Sequence, residues 1–533
     1  MLVSPRRKWA RTVVLVPILL ASITRLAAGQ APATLDMSQT PISFQSPADH
    51  QVFQRDANGL ADIPVVLAAD TKDAKVVNVF INNINNNEGT IRFVDGKLVG
   101  VPTGGPYSIS VTIEIKGTEI PGHQTGPFFV GDLWVLAGQS NMQGVGDLVD
   151  VTPPNPRVSS LGMDGKWAEA VEPLHWLVDS PDPVHSGDPA SRVKRSESEH
   201  KSRSKGTGLG LPFASTMVQA TNAPIGLVPC AHGGTSMEQW NPNKKGEGGK
   251  SLYGSMLRQF KLAGGKVKGI LWYQGESDSM GGQPLADAFS KTFTDFIAAV
   301  RADFGQPELP FYYVQIGRFV NPGDPKPWNT VQDAQRRIVD EVPNTAVVSV
   351  IDLELDDGIH VGTAGLKRVG RRLAEIALRE QFGQSGGTTP TLDRVFKGAN
   401  STLVVKFKGV NRTNAPTPGS NNQPMMMGGM GGMGGGMGGM GGGAMPRTVP
   451  GGLKPQRHIA GFSIRKADGK EIPLIFEAMV GTSRDTVVLK LNGGIPEGAS
   501  LWYGWGLDPY CNLTDTLDMA VPVFGPIALD KIK

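Results

Sequence analysis

Two short segments, far apart in the chain, carry residue types that could act together in ester or amide hydrolysis. Ser140 lies in the turn Gly138-Gln139-Ser140-Asn141-Met142-Gln143-Gly144, directly after an apolar run, and Asp357-Gly358-Ile359-His360 precedes a helical pattern. A serine on a tight strand-to-helix turn is a candidate nucleophile, and a histidine three residues after an aspartate is a candidate base. In the chain order Ser, Asp, His they supply the parts of a Ser-His-Asp hydrolase. The alternative is an ordinary turn serine and a helix-capping aspartate, and the joint occurrence favours catalysis.

The elements that would position these residues alternate between strands and helices from about residue 131 to 382. Five uniformly apolar runs predict buried strands: Leu133–Ala137, Ile225–Cys230, Gly269–Tyr273, Phe311–Ile316 and Val347–Leu353. Longer amphipathic stretches predict helices at Leu285–Phe304, Thr330–Val342 and Thr363–Glu380. Buried strands that alternate with helices indicate an α/β domain around a mostly parallel sheet.

The candidate residues share one position relative to these strands. Ser140, Gly233-Gly234, Gln274-Gly275-Glu276 and the pair Asp357/His360 each follow a predicted strand. Because ligands of such sheets bind at the carboxyl ends of the strands, this common placement predicts a single site.

β-patterned sequence lies on both sides of the α/β region, in short alternating runs separated by Gly, Asn and Pro. We therefore predict a signal peptide at 1–30, an N-terminal β-sandwich-like module at 31–130, a catalytic domain at 131–384 and a C-terminal β-sandwich-like module at 385–533. Residues 423–446 are nearly all Met and Gly, which predicts a disordered insertion. An inert insertion is favoured over a Cu(I) site, since no His or Cys joins the methionines.

The N-terminus has the pattern of an export signal. Four basic residues precede the apolar run Thr12–Ile23, and the following segment 26–31 offers small residues for cleavage. The run is shorter than the roughly 20 residues that a membrane-spanning helix needs. The sequence therefore predicts a secreted or periplasmic protein without membrane contact beyond the export signal; an uncleaved anchor is the alternative.

Composition and cysteine usage limit the partners. A formal net charge of +3 on 533 residues is near balance, which argues against a nucleic-acid partner, because binding one would need a concentrated basic face. There is no CxxC pair and no zinc-type His/Cys spacing. Cys230 and Cys511 are the only cysteines; a buried thiol is favoured for Cys230, with a bridge between the two as the alternative. The charged stretch Arg192–Lys205 predicts a solvated, mobile loop, or else a rim contact for an anionic substrate.

Four motifs, in this order, carry a family resemblance: Gly138-Gln139-Ser140-Asn141-Met142, Gly233-Gly234-Thr235-Ser236-Met237-Glu238-Gln239-Trp240, Trp272-Tyr273-Gln274-Gly275-Glu276-Ser277-Asp278 and Asp357-Gly358-Ile359-His360. Together they resemble the sialate O-acetylesterase and acetylxylan esterase branch of the SGNH hydrolase superfamily. The resemblance implies a three-layer α/β/α, flavodoxin-like catalytic domain that cleaves acetyl esters on sugar hydroxyls without a metal or other cofactor. It makes Ser140 the nucleophile, His360 the base and Asp357 its acid.

Oxyanion donors are expected close to Ser140. The backbone N–H groups of Ser140 and of Gly233 or Gly234 are candidates, and the Gln274 amide could add another. The glutamate of the third motif departs from the wider superfamily, which usually has asparagine near the oxyanion. The resemblance to the acetylxylan esterase branch makes this glutamate, Glu276, an alternative partner for His360 that would share or replace the role of Asp357. Asp357 is favoured, because it reaches the imidazole from the same loop; Glu276 would then hold the site, or form a salt bridge with an arginine such as Arg318.

Aromatic residues near these motifs are candidate sugar platforms. Trp240 and Trp272 fit that role, but core tryptophans are the alternative, especially for Trp272, which lies in a strand run. His232 is interpreted as a structural histidine.

The leading hypothesis is a carbohydrate O-acetylesterase, a serine carboxylic-ester hydrolase similar to sialate O-acetylesterases, whose partner is an O-acetylated glycan or sugar. The near alternative is an acetylxylan esterase acting on plant polysaccharide. The alternative from another class is a non-catalytic glycan-binding envelope protein.

Overall fold

The structure is a computed structural model that describes residues 43–68, 73–82, 91–384, 386–411 and 458–532. The predicted signal peptide at 1–30 and the Met/Gly-rich insertion at 423–446 lie outside the described residues. The domain boundaries stay a prediction.

In the N-terminal part of the described chain, all regular secondary-structure elements are strands. They are β1 Phe44–Ser46, β2 Val52–Gln54, β3 Leu60–Pro64, β4 Val66–Leu67, β5 Ala74–Asn82, β6 Arg92–Val94, β7 Lys97–Pro102, β8 Gly104–Ile115 and β9 Thr118–Gly138. Their apolar side chains alternate along β8 and gather in one hydrophobic cluster centred on Ile63, Ile109 and Phe128.

The middle part alternates helices and strands, as predicted. The helices are α1 Ser140–Gln143, α2 Pro183–Ser186, α3 Pro189–Ser202, α4 Gly210–Thr221, α5 Leu252–Leu262, α6 Glu276–Met280, α7 Gln283–Asp303, α8 Lys326–Glu341 and α9 Thr363–Phe382, with 3₁₀ segments at Leu177–Asp179 and Pro242–Lys250. The strands are β10 Gly146–Asp147, β11 Val158–Leu161, β12 Trp167–Glu169, β13 Lys205–Thr207, β14 Ile225–Pro229, β15 Gly269–Tyr273, β16 Phe311–Gln315 and β17 Thr345–Ser349.

The C-terminal part returns to strands, in two four-stranded sheets. The strands are β18 Thr391–Gly398, β19 Thr402–Lys408, β20 Phe462–Arg465, β21 Glu471–Ile472, β22 Ile475–Val480, β23 Thr486–Leu491, β24 Ser500–Tyr503 and β25 Phe524–Ala528. One sheet has the order β18-β19-β23-β22 and the other β21-β20-β24-β25, and side chains of both enter one hydrophobic cluster. The mixed α/β class is confirmed.

The central sheet has the order β12-β11-β14-β9-β15-β16-β17, and every neighbouring pair from β11 to β17 is parallel. All five residues of β14, of β15 and of β16 are buried. Strands covered on both faces can be apolar throughout, which is why these runs are recognisable in the sequence.

The first predicted strand is part of a much longer one. β9 runs from Thr118 to Gly138; its first half pairs with β8, and its last residues pair with β14 and β15. The predicted run Leu133–Ala137 is only the fully buried end. Because the first half of β9 is half-solvated and interrupted by Pro121 and Gly122, it lacks the uniform apolar signal of the second half.

The prediction of a loop for the charged stretch Arg192–Lys205 is wrong, because most of this stretch is helical. Helix α3 has no buried residue, and Asp188 caps it by accepting the N–H groups of Ala190 and Ser191. A helix that is polar on every face shows no apolar periodicity, so its sequence pattern is the same as that of a loop. Among the described residues, no helix is both long and apolar enough to cross a bilayer.

The alternative of a disulfide is also contradicted. Cys230 and Cys511 are both buried and both are free thiols. Burial raises the pKa of each thiol, that of Cys511 to about 12. Cys230 packs in the cluster of the central sheet and Cys511 in that of the C-terminal sheets.

Candidate active site

The predicted site residues meet at one edge of the central sheet. Ser140 follows β9, Gly233 follows β14 and Glu276 follows β15, three adjacent strands. His360 lies in the loop after β17, and β17 is the third strand from β9 in the sheet order. Parallel strands present their carboxyl ends at the same edge, so segments more than 200 residues apart converge there.

The turn that carries Ser140 depends on close backbone approach. Gly138 ends β9 with φ +135°, and a Cβ there would lie 2.2 Å from the carbonyl oxygen of Tyr273. The next N–H, of Gln139, donates to that same carbonyl at 2.8 Å. Only glycine combines this φ with this contact, and the turn then leaves Ser140 partly exposed at the first residue of α1.

Ser140, His360 and Asp357 form a continuous chain of hydrogen bonds. The distance from Ser140 Oγ to His360 Nε2 is 3.0 Å, and that from His360 Nδ1 to Asp357 Oδ2 is 2.7 Å. The second carboxylate oxygen of Asp357 accepts the backbone N–H groups of Ile359 and His360, each at 2.9 Å. The arrangement orients one imidazole nitrogen to take a proton from the serine and fixes the other against a carboxylate.

The surroundings of Asp357 keep it ionised. Burial acts to raise its pKa, but hydrogen bonds from the His360 side chain and from the backbone of Ile359 and His360 outweigh it and lower the pKa to about 2. The carboxylate is therefore charged at any pH at which a neutral histidine could act as a base.

The lowered pKa predicts how Asp357 contributes to stability. An aspartate ionises at about pH 3.9 when unfolded, so the contribution is present above that pH and is lost as the pH falls through about 2. We expect wild type to exceed Asp357→Asn in free energy of unfolding at pH 5 to 7, and the difference to shrink between about pH 4 and pH 2. Urea unfolding of both proteins across this range measures it, and a difference that does not change with pH would contradict the prediction.

Glu276 lies beside this chain of hydrogen bonds without joining it. It is buried, its Oε1 accepts from the Asn141 amide at 2.9 Å, and its Oε2 has no partner among the described residues. Burial raises its pKa, with the Asn141 hydrogen bond acting in the opposite direction. The alternative salt bridge to Arg318 is contradicted, because Arg318 pairs with Asp508 and Glu354.

Asn141 is a site residue for which the sequence predicts no role. Its amide nitrogen donates to Glu276, and its oxygen accepts the N–H of Val361 at 3.0 Å. One side chain thus connects the nucleophile turn to the loop that carries His360. The signal available in the sequence is its position directly after Ser140 in the motif. The burial of its amide side chain is seen in the structure and not in the sequence.

Two of the predicted oxyanion donors are already in use. The Gly233 N–H donates to Gln143 Oε1 at 2.8 Å, and the Gln274 amide nitrogen donates to the Thr235 carbonyl at 3.1 Å and to Asp278. The predicted roles of Gly233 and Gln274 are therefore contradicted in this conformation. The N–H groups of Ser140 and Gly234 form no hydrogen bond to another described residue. Gly234 is exposed, with φ +68°.

The predicted sugar platforms are core residues. Trp240 and Trp272 are both 0% exposed, and their rings pack edge to face at 5.2 Å. Trp240 donates from its indole nitrogen to Thr235, and Trp272 packs on Phe293 and Phe296 of α7. The interpretation of both as sugar platforms is wrong, because neither offers a face to a ligand.

Burial of Trp272 predicts a large effect on stability. We expect Trp272→Ala to lower the free energy of unfolding by about 3–5 kcal/mol, because it leaves a cavity among packed aromatic rings. Trp272→Phe keeps most of the volume and is expected to cost less than half as much. Denaturant unfolding measures both, and an unchanged free energy in the alanine variant would contradict the assignment to the core.

Comparisons with known proteins agree with the four motifs. Residues 130–379 match the model of a family described as carbohydrate esterase, sialic acid-specific acetylesterase. A probable carbohydrate esterase of Arabidopsis thaliana is 28% identical over 277 residues, which cover 47% of this chain and 92% of that protein. The crystal structure of a carbohydrate acetylesterase from Xanthomonas citri is similar with a TM-score of 0.57 and 22% identity, covering 90% of this chain and 97% of that one, which shows a common fold. The predicted family resemblance is confirmed.

Proposed function

We propose that this chain, whose residues 130–379 match the carbohydrate esterases of the sialic acid-specific acetylesterase family, is a serine O-acetylesterase that removes acetyl groups from sugar hydroxyls. The observation that carries the proposal is the hydrogen-bonded chain from Ser140 through His360 to Asp357. Glycan binding without catalysis does not require a serine aligned with an imidazole and a carboxylate.

The proposed reaction has two steps. Ser140 Oγ attacks the acetyl carbonyl, His360 Nε2 takes the serine proton, and the same imidazole passes it to the departing sugar oxygen. A water molecule then attacks the acetyl-enzyme with His360 again as the base, which releases acetate and restores the serine. Asp357 holds the Nδ1–H tautomer and stabilises the imidazolium that forms in each step.

The oxyanion of each step needs hydrogen-bond donors. The Ser140 N–H, in the first turn of α1, and the Gly234 N–H are the predicted donors that no other described residue occupies. Removal of one oxyanion donor typically costs about 3 kcal/mol of transition-state stabilisation. Backbone groups are therefore assigned to the oxyanion, and the Gln274 amide to the structure of the loops around it.

We propose O-acetylated sialic acid as the substrate, with acetylated xylan as the alternative; the family description supports the first. The test is acetate release from an aryl acetate, from O-acetylated sialic acid and from acetylated xylan by protein that lacks residues 1–30. Release from either glycan supports the proposed function, and the faster glycan decides between the substrates. A folded protein that releases acetate from none of the three would reject it.

The bridging contacts of Asn141 predict a further effect on the reaction. Asn141→Ala removes the hydrogen bond between the Asn141 and Glu276 side chains and releases the Val361 N–H. We expect a loss of about 1–3 kcal/mol in the free energy of unfolding, the cost of an unsatisfied buried group. We also expect kcat for the aryl acetate to fall about 10- to 100-fold, since small misplacement of catalytic groups has effects of this size. Unchanged unfolding and an unchanged kcat would show that Asn141 does not hold the two loops together.

We infer a three-layer catalytic domain from the direction of two strand tryptophans. Trp134 of β9 pairs with Gly269 of β15, and Trp272, three residues after Gly269, pairs with Ala137. Because successive side chains along a strand point to opposite faces, the rings of Trp134 and Trp272 lie on opposite faces of the sheet. Trp134 packs on Phe213 of α4, and Trp272 packs on α7. Helices on opposite faces support the α/β/α arrangement. The shared cluster of the two C-terminal sheets likewise supports a sandwich-like module.

We propose that the protein is secreted or periplasmic. The basic and apolar pattern of residues 1–30 supports export. N-terminal sequencing of the protein isolated from its source tests this proposal, and a chain that still begins at Met1 would reject cleavage.

A further inference from the structure

A row of polar side chains, three of them buried, ends in the loop beside the nucleophile turn, and the reaction described above does not use it. Arg258 Nε lies 2.7 Å from Asp182 Oδ2, and Ser255 Oγ lies 2.5 Å from that same oxygen. Ser255 Oγ lies 3.1 Å from His185 Nε2, and His185 Nδ1 lies 3.0 Å from His232 Nδ1. We call these five residues the histidine relay.

The protons of the relay can be assigned from its hydrogen bonds, beginning at the ion pair between Asp182 and Arg258. Asp182 is paired with Arg258, so its carboxylate can only accept, and Ser255 must donate its single hydroxyl proton to it. The Ser255 oxygen is then free only to accept, which requires His185 to carry a proton on Nε2. Because two ring nitrogens 3.0 Å apart share one proton, only one of His185 and His232 is protonated on Nδ1.

In the hydrogen bond between the two rings, His185 Nδ1 accepts and His232 Nδ1 donates. It is buried, and burial first, then the nearby His232, His175 and Arg258, lower its pKa to about 3, so it is neutral and its Nδ1 carries no proton. The proton between the two rings therefore belongs to His232 Nδ1. Burial also lowers the pKa of His232. A neutral imidazole protonated on Nδ1 has a bare Nε2, which is a hydrogen-bond acceptor.

The backbone of His232 is next to the proposed site of reaction. The His232 N–H donates to the Gly138 carbonyl, two residues before Ser140. A Cβ on the following residue, Gly233, would lie 3.4 Å from Ser140 Cβ. His232 itself is partly exposed, and within the part of the chain that the structure describes no atom forms a hydrogen bond with its Nε2. The relay thus ends in an acceptor without a partner, on a residue whose backbone adjoins the nucleophile turn.

We propose that His232 Nε2 accepts a hydrogen bond from a free hydroxyl of the sugar, adjacent to the acetylated position, and so selects carbohydrate esters over esters that lack such a hydroxyl. The proposal rests on the proposed function and makes His232 a specificity-determining residue of the same site. It replaces the interpretation of His232 as a purely structural histidine. A hydrogen bond to the sugar hydroxyl favours the carbohydrate ester by roughly tenfold in kcat/KM, and an ester without that hydroxyl does not gain it.

Two substitutions separate the ends of the His232 ring. His232→Asn places an amide N–H where Nδ1 lies and keeps a donor for His185, but leaves nothing at Nε2. His232→Gln reaches the Nε2 position with an acceptor oxygen. For the glycan that the wild type hydrolyses faster, we expect kcat/KM to fall about tenfold in the asparagine variant and to recover in part in the glutamine variant. For the aryl acetate, which has no neighbouring hydroxyl, kcat/KM should change less than about twofold in either.

A second measurement tests the proton assignment without any substrate. Nitrogen-15 NMR of the histidine side chains distinguishes the two neutral tautomers, and the signals that His232→Asn removes identify His232. We expect a neutral ring protonated on Nδ1. In Ser255→Ala, which removes the acceptor of the His185 Nε2 proton, we expect His232 to lose this preference.

The outcomes separate the two proposals. Equal losses on glycan and aryl acetate in His232→Asn, no loss on either, or an Nε2–H tautomer would each overturn the role of His232 while leaving the esterase intact. Wild-type protein that hydrolyses the aryl acetate but neither glycan would overturn the carbohydrate substrate and the hydroxyl contact together. A glycan-selective loss with the Nδ1–H tautomer supports the inference.

Discussion

Ser140→Ala is expected to lower kcat for acetate release about 10⁵-fold or more, on the aryl acetate and on the glycan alike. The alanine has no oxygen to attack the acetyl carbonyl, and the oxyanion donors and the binding contacts that remain give only weak catalysis. The Ser140 hydroxyl contacts His360 at a partly exposed position, so the free energy of unfolding should change by less than about 1 kcal/mol.

A matched control lies in the neighbouring loop. Ser236 is partly exposed, and its backbone N–H donates to the side chain of Gln239. Ser236→Ala should retain kcat within about twofold, since the substitution keeps that backbone contact and removes no group of the proposed mechanism. A Ser140→Ala protein with more than about one hundredth of wild-type kcat would show that another group is the nucleophile.

Asp357→Asn is expected to lower kcat about 10⁴-fold, the size of effect that the same change has in a serine protease triad. The asparagine can turn an N–H toward His360 Nδ1, which favours the tautomer whose proton lies on the nitrogen facing Ser140. Glu276→Gln should lower kcat less than about tenfold. The glutamine oxygen can still accept from Asn141, and a neutral amide is cheaper to bury than a carboxylate whose second oxygen has no partner among the described residues.

The difference between these two variants decides which acid serves His360. Both should be assayed on the same aryl acetate at neutral pH, with unfolding curves to confirm that each is folded. If Glu276→Gln loses as much activity as Asp357→Asn, Glu276 takes part in the reaction. If Asp357→Asn retains most of its activity, the 2.7 Å contact between Asp357 and His360 does not carry the mechanism.

Most of the catalytic domain is predictable from the sequence because its strands are buried on both faces. The predicted bounds of β15 are the observed ones, and those of β14 and β16 agree within one residue, since an apolar run between turn residues is typical of a buried strand. Ser140 and His360 could be placed at one site for a related reason: each follows a parallel strand of the same sheet.

Other features depend on contacts that spacing does not show. Trp272 stands at the end of a strand near the site, and nothing in the sequence tells whether its ring faces a ligand or α7. The Gly233 N–H is a reasonable oxyanion donor by its position, but the Gln143 side chain occupies it. The histidine relay joins residues 47 to 76 positions apart, and no local pattern connects them.

The most direct test of the central claim is to trap the acetyl-enzyme. Protein mixed with excess aryl acetate and quenched in acid within the first turnovers is digested, and its peptides are analysed by mass spectrometry. The mechanism predicts a single acetyl group on Ser140 that disappears as the ester is consumed and that Ser140→Ala does not form. A wild-type protein that turns over the ester while its acetyl group is found on another residue, or on none, would contradict the assignment of Ser140 as the nucleophile.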